Sequence, residues 1–334
     1  MTESLFQRSA LASGLVGQQD LAEAISQLRE AGEAPEAVSD DRLACKLIEL
    51  GRLNSWQAAR LREGRTSFTL GPYRIIGKIG EGTLGQVYQA EHSVMGRLVA
   101  LKVLPPKHST PAVIAAFTEV IRTHAQLDHA HLVRAYDAGH DRNAHFLVTE
   151  YVPGSDLRQM VRRQKHRRLD MQTAADIVCQ AAEGLTYIHK RGLVHRDLKP
   201  TNLLVSSEGH AKISDLGLAG CFDAADRAEA DEPRVIGSAD YLAPEQFSDP
   251  DHPQAASDIY SLGCTLYYAV TGKVPFPGGT PLEKAQAHCE RLPLHPRRLN
   301  PDLCDAFVEV IADMMAKDPR ERVPSAEAVI ERLR

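Results

Sequence analysis

The sequence predicts an α+β fold, in which a strand-rich stretch precedes a helix-rich one. Residues 71–151 contain short runs rich in β-branched and aromatic residues, separated by turn residues. Residues 1–66 carry only helical patterns, and helical patterns prevail again over residues 152–332. We therefore expect a small all-α module at 1–66 and a two-part domain at 71–332 whose strands lie in its first part.

The predicted module at 1–66 consists of three or four short amphipathic helices. One follows Asp20, a candidate N-cap, and ends at Gly32; others follow Asp40 and Asn54. The apolar residues at helical spacing in the first of them are Leu21, Ala24, Ile25 and Leu28. No group of catalytic side chains stands out in this stretch, so we expect a module that packs on the rest of the chain or docks a partner.

Composition is that of a soluble globular protein, with 43% hydrophobic residues, 25% charged residues and a net charge of -5. That charge argues against nucleic acid as the main partner. The six cysteines are scattered without C-x-x-C or zinc spacing, which favours reduced thiols. No apolar run reaches the roughly 18 residues of a membrane helix, and the first residues lack the pattern of a signal peptide. We expect a cytoplasmic protein without a membrane segment.

The strand-rich stretch is interrupted once, by a helical pattern from Pro111 to about Leu127. The runs that predict strands are Tyr73–Ile76, Gln86–Ala90, Leu98–Val103, a stretch near Leu132–Tyr136, and Phe146–Thr149.

Residues 80–87, Gly-Glu-Gly-Thr-Leu-Gly-Gln-Val, fit the pattern G-x-G-x-x-G-x-V between two predicted strands. Glycines let backbone N–H groups approach phosphate oxygens without a Cβ in the way. The pattern alone is weak, because glycine-rich hairpins also occur for structural reasons. It gains weight from a later strand, where alternation sends Ala100 and Lys102 to one face. Lys102 can then reach the α- and β-phosphates of a nucleotide while Ala100 leaves room for adenine; a surface lysine is the alternative.

Two later loops combine the side chains that phosphoryl transfer to a hydroxyl requires. Residues 195–202, His-Arg-Asp-Leu-Lys-Pro-Thr-Asn, include Asp197, Lys199 and Asn202, and Asp215 follows the next short apolar run. Asp197 would orient the alcohol and accept its proton. Asp215 and Asn202 would hold Mg²⁺, and Lys199 would neutralise charge on the γ-phosphate. The alternative, a solvated turn with a chance match, does not explain why the upstream motifs point to the same chemistry.

These motifs resemble those of protein kinases over residues 71–332, with Leu216 in place of the phenylalanine of D-F-G. Further matches are Ala243-Pro244-Glu245, the arginine that pairs with this glutamate in the family (Arg322), and the buried helix aspartate that holds the catalytic loop (Asp258). The stretch before residue 66 is similar to the leader of planctomycete-type bacterial kinases. The resemblance implies a bilobal kinase fold and a bacterial eukaryotic-like Ser/Thr kinase that uses ATP with Mg²⁺, or Mn²⁺ in its place, and acts on proteins.

The resemblance also assigns roles to single residues. It implies catalysis by Asp197, Lys199 and Lys102, and metal binding by Asn202 and Asp215. It implies ATP binding by Gly80, Glu81, Gly82, Thr83, Leu84, Gly85, Val87, Ala100, Lys102, Thr149, Glu150, Val152 and Asp156. Within this set Thr149 is the gatekeeper, Glu150 and Val152 offer backbone groups to adenine, and Asp156 accepts from a ribose hydroxyl. Lys199 together with Ser238 favours Ser and Thr over Tyr as acceptors.

One departure concerns the helix glutamate that pairs with the nucleotide lysine in the family. Counted back from Leu127 and His129, this position falls on Val120, and Glu119 is one residue away, about 100° around a helix. Loss of that pairing would leave the triphosphate less well positioned. Two hypotheses therefore stay open: an active kinase, which the intact catalytic and metal residues favour, and a pseudokinase that binds nucleotide or a partner and signals without chemistry.

Two charged stretches have alternative interpretations. The segment from Leu218 to Gly237 has no Ser, Thr or Tyr but several carboxylates, which could pair with Arg196 in place of a phosphate or could form a solvated acidic loop. The basic run Arg158–Arg168 is expected to be a solvated helix face and loop, and an acidic partner is the alternative.

Overall fold

The computed structural model describes residues 3–30, 38–82, 85–104, 109–218, 239–250 and 252–334. The chain divides into two compact units, one formed by residues 1–105 with 138–151 and the other by 106–137 with 152–334. The first unit contains the N-terminal helices and a six-stranded sheet, and the second contains most of the remaining helices and a three-stranded sheet. The α+β class predicted from the sequence is confirmed.

Helices occupy the N-terminal stretch. Their bounds are α1 (Leu5–Ser13), α2 (Gln18–Glu30), α3 (Asp40–Glu49) and α4 (Ser55–Arg62). The prediction that Asp20 caps a helix was wrong, because α2 begins at Gln18 and Asp20 lies in its first turn, where it accepts from the Gly17 N–H at 2.8 Å. Asn54 caps α4, as its side chain accepts from the Gln57 N–H at 2.9 Å. A hydrophobic core joins the four helices, with Phe6, Leu43, Leu47, Leu61 and Phe68 nearly or fully buried.

Four of the six strands of the large sheet contain a predicted run. They are β1 (Thr69–Leu70), β2 (Tyr73–Gly82), β3 (Gly85–His92), β4 (Leu98–Val103), β5 (Ala135–Asp141) and β6 (Ala144–Glu150), in the order β1-β2-β3-β4-β6-β5. The strand predicted near 132–136 is shifted, because Leu132 forms an isolated bridge with Ile213 instead and β5 starts only at Ala135. The run alone could not show that Leu132 has a partner elsewhere.

The register of this sheet separates two sets of side chains. Val87 lies opposite Lys102, and Ala100 lies opposite both Gln89 and Thr149. Since side chains alternate along a strand, these residues share one face. The other face carries a hydrophobic core of Tyr73, Tyr88, Ala90, Val99, Leu101, Phe146 and Val148. Trp56 of α4 packs against this core, so the N-terminal helices cover the face that is turned away from Lys102.

The second unit is built mainly from helices. They are α5 (Pro111–His124), α6 (Leu157–Arg163), α7 (Met171–His189), α8 (Pro244–Ser248), α9 (Ala255–Thr271), α10 (Pro281–Glu290), α11 (Asp305–Met314) and α12 (Ala326–Leu333). The small sheet consists of β7 (Gly154–Asp156), β8 (Leu203–Ser206) and β9 (Ala211–Ile213), in that order. Helix α9 is the centre of the unit, since its residues from Ser257 to Thr271 are all buried. Gly263 lets α11 approach, because a Cβ there would lie 2.8 Å from the Met314 Cβ.

A buried ion pair ties α8 to the end of the chain. Both guanidinium Nη atoms of Arg322 donate to Glu245, at 2.5 and 2.7 Å, and the Arg322 side chain is fully buried. Ser257 donates to the same carboxylate at 2.7 Å. Burial acts to raise the pKa of Glu245, but the hydrogen bonds and charge of Arg322 outweigh burial and hold that pKa below its usual value. The pair that the resemblance implied is therefore present.

We expect Glu245→Ala to lower the free energy of unfolding by about 3–5 kcal/mol, because the Arg322 guanidinium would stay buried without its carboxylate. Urea denaturation at neutral pH measures this loss. The matched control is Glu119→Ala, which breaks the exposed pair of Glu119 with Arg122 and should leave the transition unchanged. Equal transitions for the two variants would contradict the structural role of Glu245.

Candidate active site

The loop that contains Asp197 has an unusual backbone, and Asp258 of α9 stabilises it. Arg196 has a φ of 70°, in the left-handed region that non-glycine residues rarely adopt. The Asp258 carboxylate accepts from the backbone N–H groups of His195 and Arg196, at 2.8 and 3.0 Å. The same carboxylate contacts His189 Nε2 at 2.8 Å. Because Asp258 is buried, these bonds are shielded from water and hold the loop in one conformation.

His195 links this loop to the one that contains Asp215. Its Nε2 lies 2.8 Å from the Ser214 carbonyl oxygen, and the Asp197 N–H donates to its Nδ1 at 3.3 Å. The imidazole therefore carries its hydrogen on Nε2, since Nδ1 acts as the acceptor. The Gly217 N–H also donates to the His195 carbonyl, at 3.3 Å. His195 is fully buried, so its ring sets the distance between the two loops.

The three side chains predicted for the catalytic loop lie together. Lys199 Nζ is 2.6 Å from Asp197 Oδ2, and Asn202 Nδ2 donates to the Asp197 carbonyl at 2.8 Å. Asn202 Nδ2 is also 3.5 Å from Asp197 Oδ2. Asp197 and Asn202 are 5% and 4% exposed, so the carboxylate stands in a largely dehydrated setting beside an ammonium group. The prediction that one loop presents all three is consistent with this geometry.

Asp215 follows β9 in a left-handed conformation, with a φ of 66°. The chain reaches it through Ser214, whose N–H donates to the Asn202 carbonyl at 2.9 Å and whose Oγ lies 3.2 Å from Asp215 Oδ2. Asn202 and Asp215, the two predicted metal ligands, are therefore connected through one residue. Gly217 also has a positive φ, 69°, which favours glycine at this turn.

Helix α5 turns Val120 toward this turn and Glu119 away from it. A Cβ placed on Gly217 would lie 3.8 Å from Val120 Cγ2. The Glu119 side chain is 71% exposed and pairs with Arg122 at 3.4 Å. The residue that α5 presents to the D-L-G turn is thus an aliphatic one, as counting along the sequence indicated.

The predicted nucleotide residues of the first unit lie on one sheet face and one hairpin. Val87, Ala100, Lys102 and Thr149 share the face described above, and the Lys102 side chain is buried. Gly80 pairs with Val87, Glu81 with Gln86, and Gly82 with Gly85, so β2 and β3 continue up to the glycine-rich turn. Glu81 forms an exposed pair with Lys78 at 3.0 Å. Thr83 and Leu84 lie outside the described residues.

Three further predicted nucleotide residues lie where β6 ends and α6 begins. Glu150 is the last residue of β6, Val152 follows it by two positions, and Asp156 is the N-cap of α6. Asp156 accepts from both the N–H and the Nε2 of Gln159, each at 2.8 Å. The carboxylate that the resemblance assigns to ribose is therefore already oriented by the helix that it caps.

The basic run Arg158–Arg168 divides into two groups. Most of its basic side chains are exposed. Arg168 instead donates to the Leu299 carbonyl at 2.7 Å and to Asp302 at 3.1 Å, so it has a structural role. The acidic segment 219–237 and Ser238 lie outside the described residues, and the pairing predicted for Arg196 there stays a prediction.

Sequence reasoning overlooked Gln246 and gave His195 no role. Gln246 Nε2 donates to the Arg196 carbonyl at 2.9 Å, while its Oε1 accepts from the Ala243 N–H at 3.1 Å. The spacing of three residues between Ala243 and Gln246 is that of a capping box, which could have indicated a side chain turned back toward the loop. For His195 no signal in the sequence shows that both of its ring nitrogens face backbone groups.

Asp197 is buried and has the Lys199 ammonium at 2.6 Å, and His195 connects its loop to the turn that contains Asp215 in a left-handed conformation. This arrangement of side chains is typical of sites for phosphoryl transfer. Together with the α+β fold, this loop is typical of a domain of the protein-kinase type. Comparison with known proteins agrees, because the sequence matches the protein kinase domain over residues 73–332. The chain belongs to the protein kinase family.

Its relatives are bacterial. It is 38% identical over 276 residues to the serine/threonine-protein kinase PknA of Mycobacterium tuberculosis, covering 79% of this chain and 62% of that protein. It is 32% identical over 259 residues to a probable serine/threonine-protein kinase of Clostridium perfringens, covering 77% and 37%. The chain therefore spans less than two thirds of the length of these relatives. The fold is also that of the kinase domain of Mycobacterium tuberculosis PknI (TM-score 0.60, 24% identity, 79% of this chain and 96% of that one).

Within the described ranges, no helix combines the length and the apolar character that a membrane span requires.

We expect Asp258→Asn to accelerate hydrogen exchange of the backbone N–H groups of His195 and Arg196 by about tenfold. In this variant the side-chain nitrogen of asparagine would face one of these two N–H groups, and the lost hydrogen bond would cost about 1–3 kcal/mol. Hydrogen-exchange mass spectrometry of peptides spanning 194–197 measures this. Asp170→Asn is the matched control, since Asp170 caps α7 and asparagine caps equally well. Unchanged exchange in Asp258→Asn would show that other contacts suffice to hold the loop.

Proposed function

We propose that this protein is a serine/threonine kinase that transfers the γ-phosphate of ATP to hydroxyl groups of protein substrates in signalling. The observation that carries the proposal is the group formed by the buried Asp197 and Asn202 with the Lys199 ammonium 2.6 Å from the Asp197 carboxylate. Lys199 with Ser238 supports Ser and Thr as acceptors, by resemblance. The decisive experiment is transfer of labelled γ-phosphate from Mg-ATP to a generic protein acceptor by the wild type, with Asp197→Asn as the control.

The side chains of the loop act on the proton of the acceptor hydroxyl and on the negative charge of the phosphoryl group. Asp197 accepts a hydrogen bond from the acceptor hydroxyl and takes its proton as the bond to phosphorus forms. Lys199, at 2.6 Å from Asp197, places its positive charge where the transferred phosphoryl group carries negative charge. Lys102 serves the α- and β-phosphates in the same way. Asp258 and His195 keep these groups oriented before the substrates arrive.

The oxygen donors that the two loops provide together fit a hard divalent cation. Asn202 uses its Nδ2 on the Asp197 carbonyl, which leaves its oxygen as the coordinating atom, and Asp215 adds a carboxylate. Oxygen donors of this kind suit Mg²⁺, and Mn²⁺ as an alternative. Bound there, the cation would neutralise phosphate charge and orient the β- and γ-phosphates.

Four finer assignments belong to the proposal. The exposed members of the basic run Arg158–Arg168 are proposed to contact an acidic segment of a protein partner, and their exposure supports it. A cytoplasmic location is proposed from composition. Membership in the planctomycete type is proposed from the N-terminal stretch, and the domain bounds 1–66 and 71–332 are proposed from the sequence pattern.

We expect Lys102→Ala and Asp215→Ala each to lower the rate of phosphotransfer by about 10²-fold or more, because each removes a charge that acts on the triphosphate in the transition state. A filter-binding assay with labelled ATP measures the rate. Lys46→Ala, which removes a lysine from the α3 surface pair with Glu49, serves as the control and should be silent. Wild-type rates in either variant would remove that residue from the proposed mechanism.

A second candidate function is a nucleotide-binding pseudokinase, which the position of Val120 favours. Helix α5 presents an aliphatic side chain to Gly217, where active relatives by resemblance present a carboxylate. Positioning of the triphosphate is a main source of rate in this chemistry. Nucleotide binding without phosphotransfer would support this candidate over the enzyme.

We expect Val120→Glu to raise the rate of phosphotransfer several-fold, since it would add a carboxylate on the side of α5 that faces the D-L-G turn. Glu119→Ala should leave the rate nearly unchanged, because Glu119 is exposed and only pairs with Arg122. Initial rates at saturating Mg-ATP compare the two variants. A large loss in Glu119→Ala would mean that Glu119, and not position 120, supports catalysis.

A further inference from the structure

Two side-chain amides at the start of α4 contact both their own helix and strand β2. Asn54 Oδ1 accepts from the Gln57 N–H at 2.9 Å, and Gln57 Oε1 accepts from the Asn54 N–H at 3.1 Å. This reciprocal capping box uses only the oxygen of each amide. The nitrogens point to the sheet, where Asn54 Nδ2 donates to the Ile76 carbonyl at 2.8 Å and Gln57 Nε2 to the Ile75 carbonyl at 3.3 Å. We call Asn54 and Gln57 the amide bridge.

The amide bridge meets β2 where its pairing with β3 is irregular. Ile75 pairs with Ala90 and Gly77 pairs with Gln89, so Ile76 is an extra residue in β2. Such a bulge bends the strand and leaves backbone groups without a ladder partner. Asn54 supplies the partner for the Ile76 carbonyl. The bridge therefore stabilises the one conformation of the bulge in which both carbonyls face α4.

Aromatic packing holds α4 against the sheet beside the bridge. The ring of Trp56 lies edge-on to Phe68 and Tyr88, with centroids 5.9 and 6.1 Å away. Tyr88 neighbours Val87, whose side chain lies on the face that carries Lys102. Gln57 is 7% exposed, so its hydrogen bond to β2 is shielded from water. The bridge and the ring together connect α4 to both strands of the glycine-rich hairpin.

We propose that Asn54 and Gln57 are positioning residues for the nucleotide site, through which the N-terminal helices set the path of the glycine-rich hairpin. The proposal rests on the proposed function, in which Gly80, Gly82 and Gly85 contact the phosphates. From the bulge at Ile76 the strand runs four more residues to Gly80 and passes a second irregularity between Lys78 and Gly80. A change in bend at Ile76 therefore displaces the part of β2 that ends at Gly80 and Gly82. If the hairpin holds its binding conformation only part of the time, the apparent affinity for ATP is the intrinsic affinity multiplied by the fraction of time spent in that conformation. The amide bridge raises this fraction.

The test uses variants that keep the helix cap and delete only the contact to β2. Asn54→Ser retains an N-cap oxygen but lacks the amide Nδ2 that donates to the Ile76 carbonyl. Gln57→Glu retains the capping box but lacks the amide Nε2 that donates to the Ile75 carbonyl. The matched control is Gln7→Glu, which makes the same change in the capping box of α1, formed with Ser4. All are made in the full chain.

Loss of one side-chain hydrogen bond to the strand should raise the KM for ATP about fivefold in Asn54→Ser, with kcat changed less than about twofold. Deuterium uptake by peptides spanning 73–82, measured without nucleotide, should be faster in the same variant and unchanged in Gln7→Glu. Gln57→Glu should show the same changes in KM and in deuterium uptake as Asn54→Ser. If one of these two variants folds poorly, the other still tests the proposal.

The outcomes separate the inference from the proposed function. Faster exchange in β2 with an unchanged KM would overturn the inference, and so would equal effects of Asn54→Ser and Gln7→Glu. If the wild type binds Mg-ATP without transferring phosphate, the Kd for Mg-ATP is measured in place of the KM. The proposal then predicts a higher Kd in Asn54→Ser than in Gln7→Glu. If the wild type binds no nucleotide at all, the proposed function fails and the inference fails with it, whatever the exchange data show.

Discussion

The Asp258 carboxylate is the group on which the rest of the active loop depends. A loop that places an aspartate, a lysine and an asparagine side by side must turn sharply, and here it does so with Arg196 in the left-handed region. Such a conformation costs of order 1–3 kcal/mol and persists only when surrounding contacts compensate for it. Asp258 compensates by accepting from two consecutive backbone N–H groups. Because Asp258 lies on the fully buried part of α9, the hydrophobic core of the second unit determines where the Asp197 carboxylate lies.

The first unit is subject to a different constraint, because the two faces of its large sheet differ in polarity. One face carries Lys102 and the other packs against a hydrophobic core. Alternation along β3 and β4 separates Val87 and Lys102 from Tyr88 and Leu101. A sheet of this kind needs a cover on its apolar face. The N-terminal helices supply one through Trp56. This gives the helical stretch a physical reason to be present that does not depend on any partner.

Motifs in the sequence predicted four of the six strands of the large sheet and placed Asp197, Lys199 and Asn202 on one loop, because spacing within a loop is local information. The same information located Glu245 and Arg322, since both belong to short family patterns. What the sequence could not show were contacts between distant segments. Leu132 pairs with Ile213 and not with a neighbouring strand, and this shifted β5. The sequence also could not show that the Asn54 amide contacts both α4 and β2. A capping pattern predicts which N–H the side-chain oxygen accepts from, but it does not predict the acceptor for the side-chain nitrogen.

Trp56 is the only tryptophan in the sequence, and its place between α4 and the sheet has an optical consequence. An indole that touches two other rings in a half-buried site changes its emission when those rings move away. Intrinsic fluorescence of this protein therefore reports on a single junction, that of the N-terminal helices with the β-sheet. Circular dichroism follows the helices of both units together. A denaturation curve read by both signals would separate detachment of the N-terminal helices from unfolding of the chain as a whole.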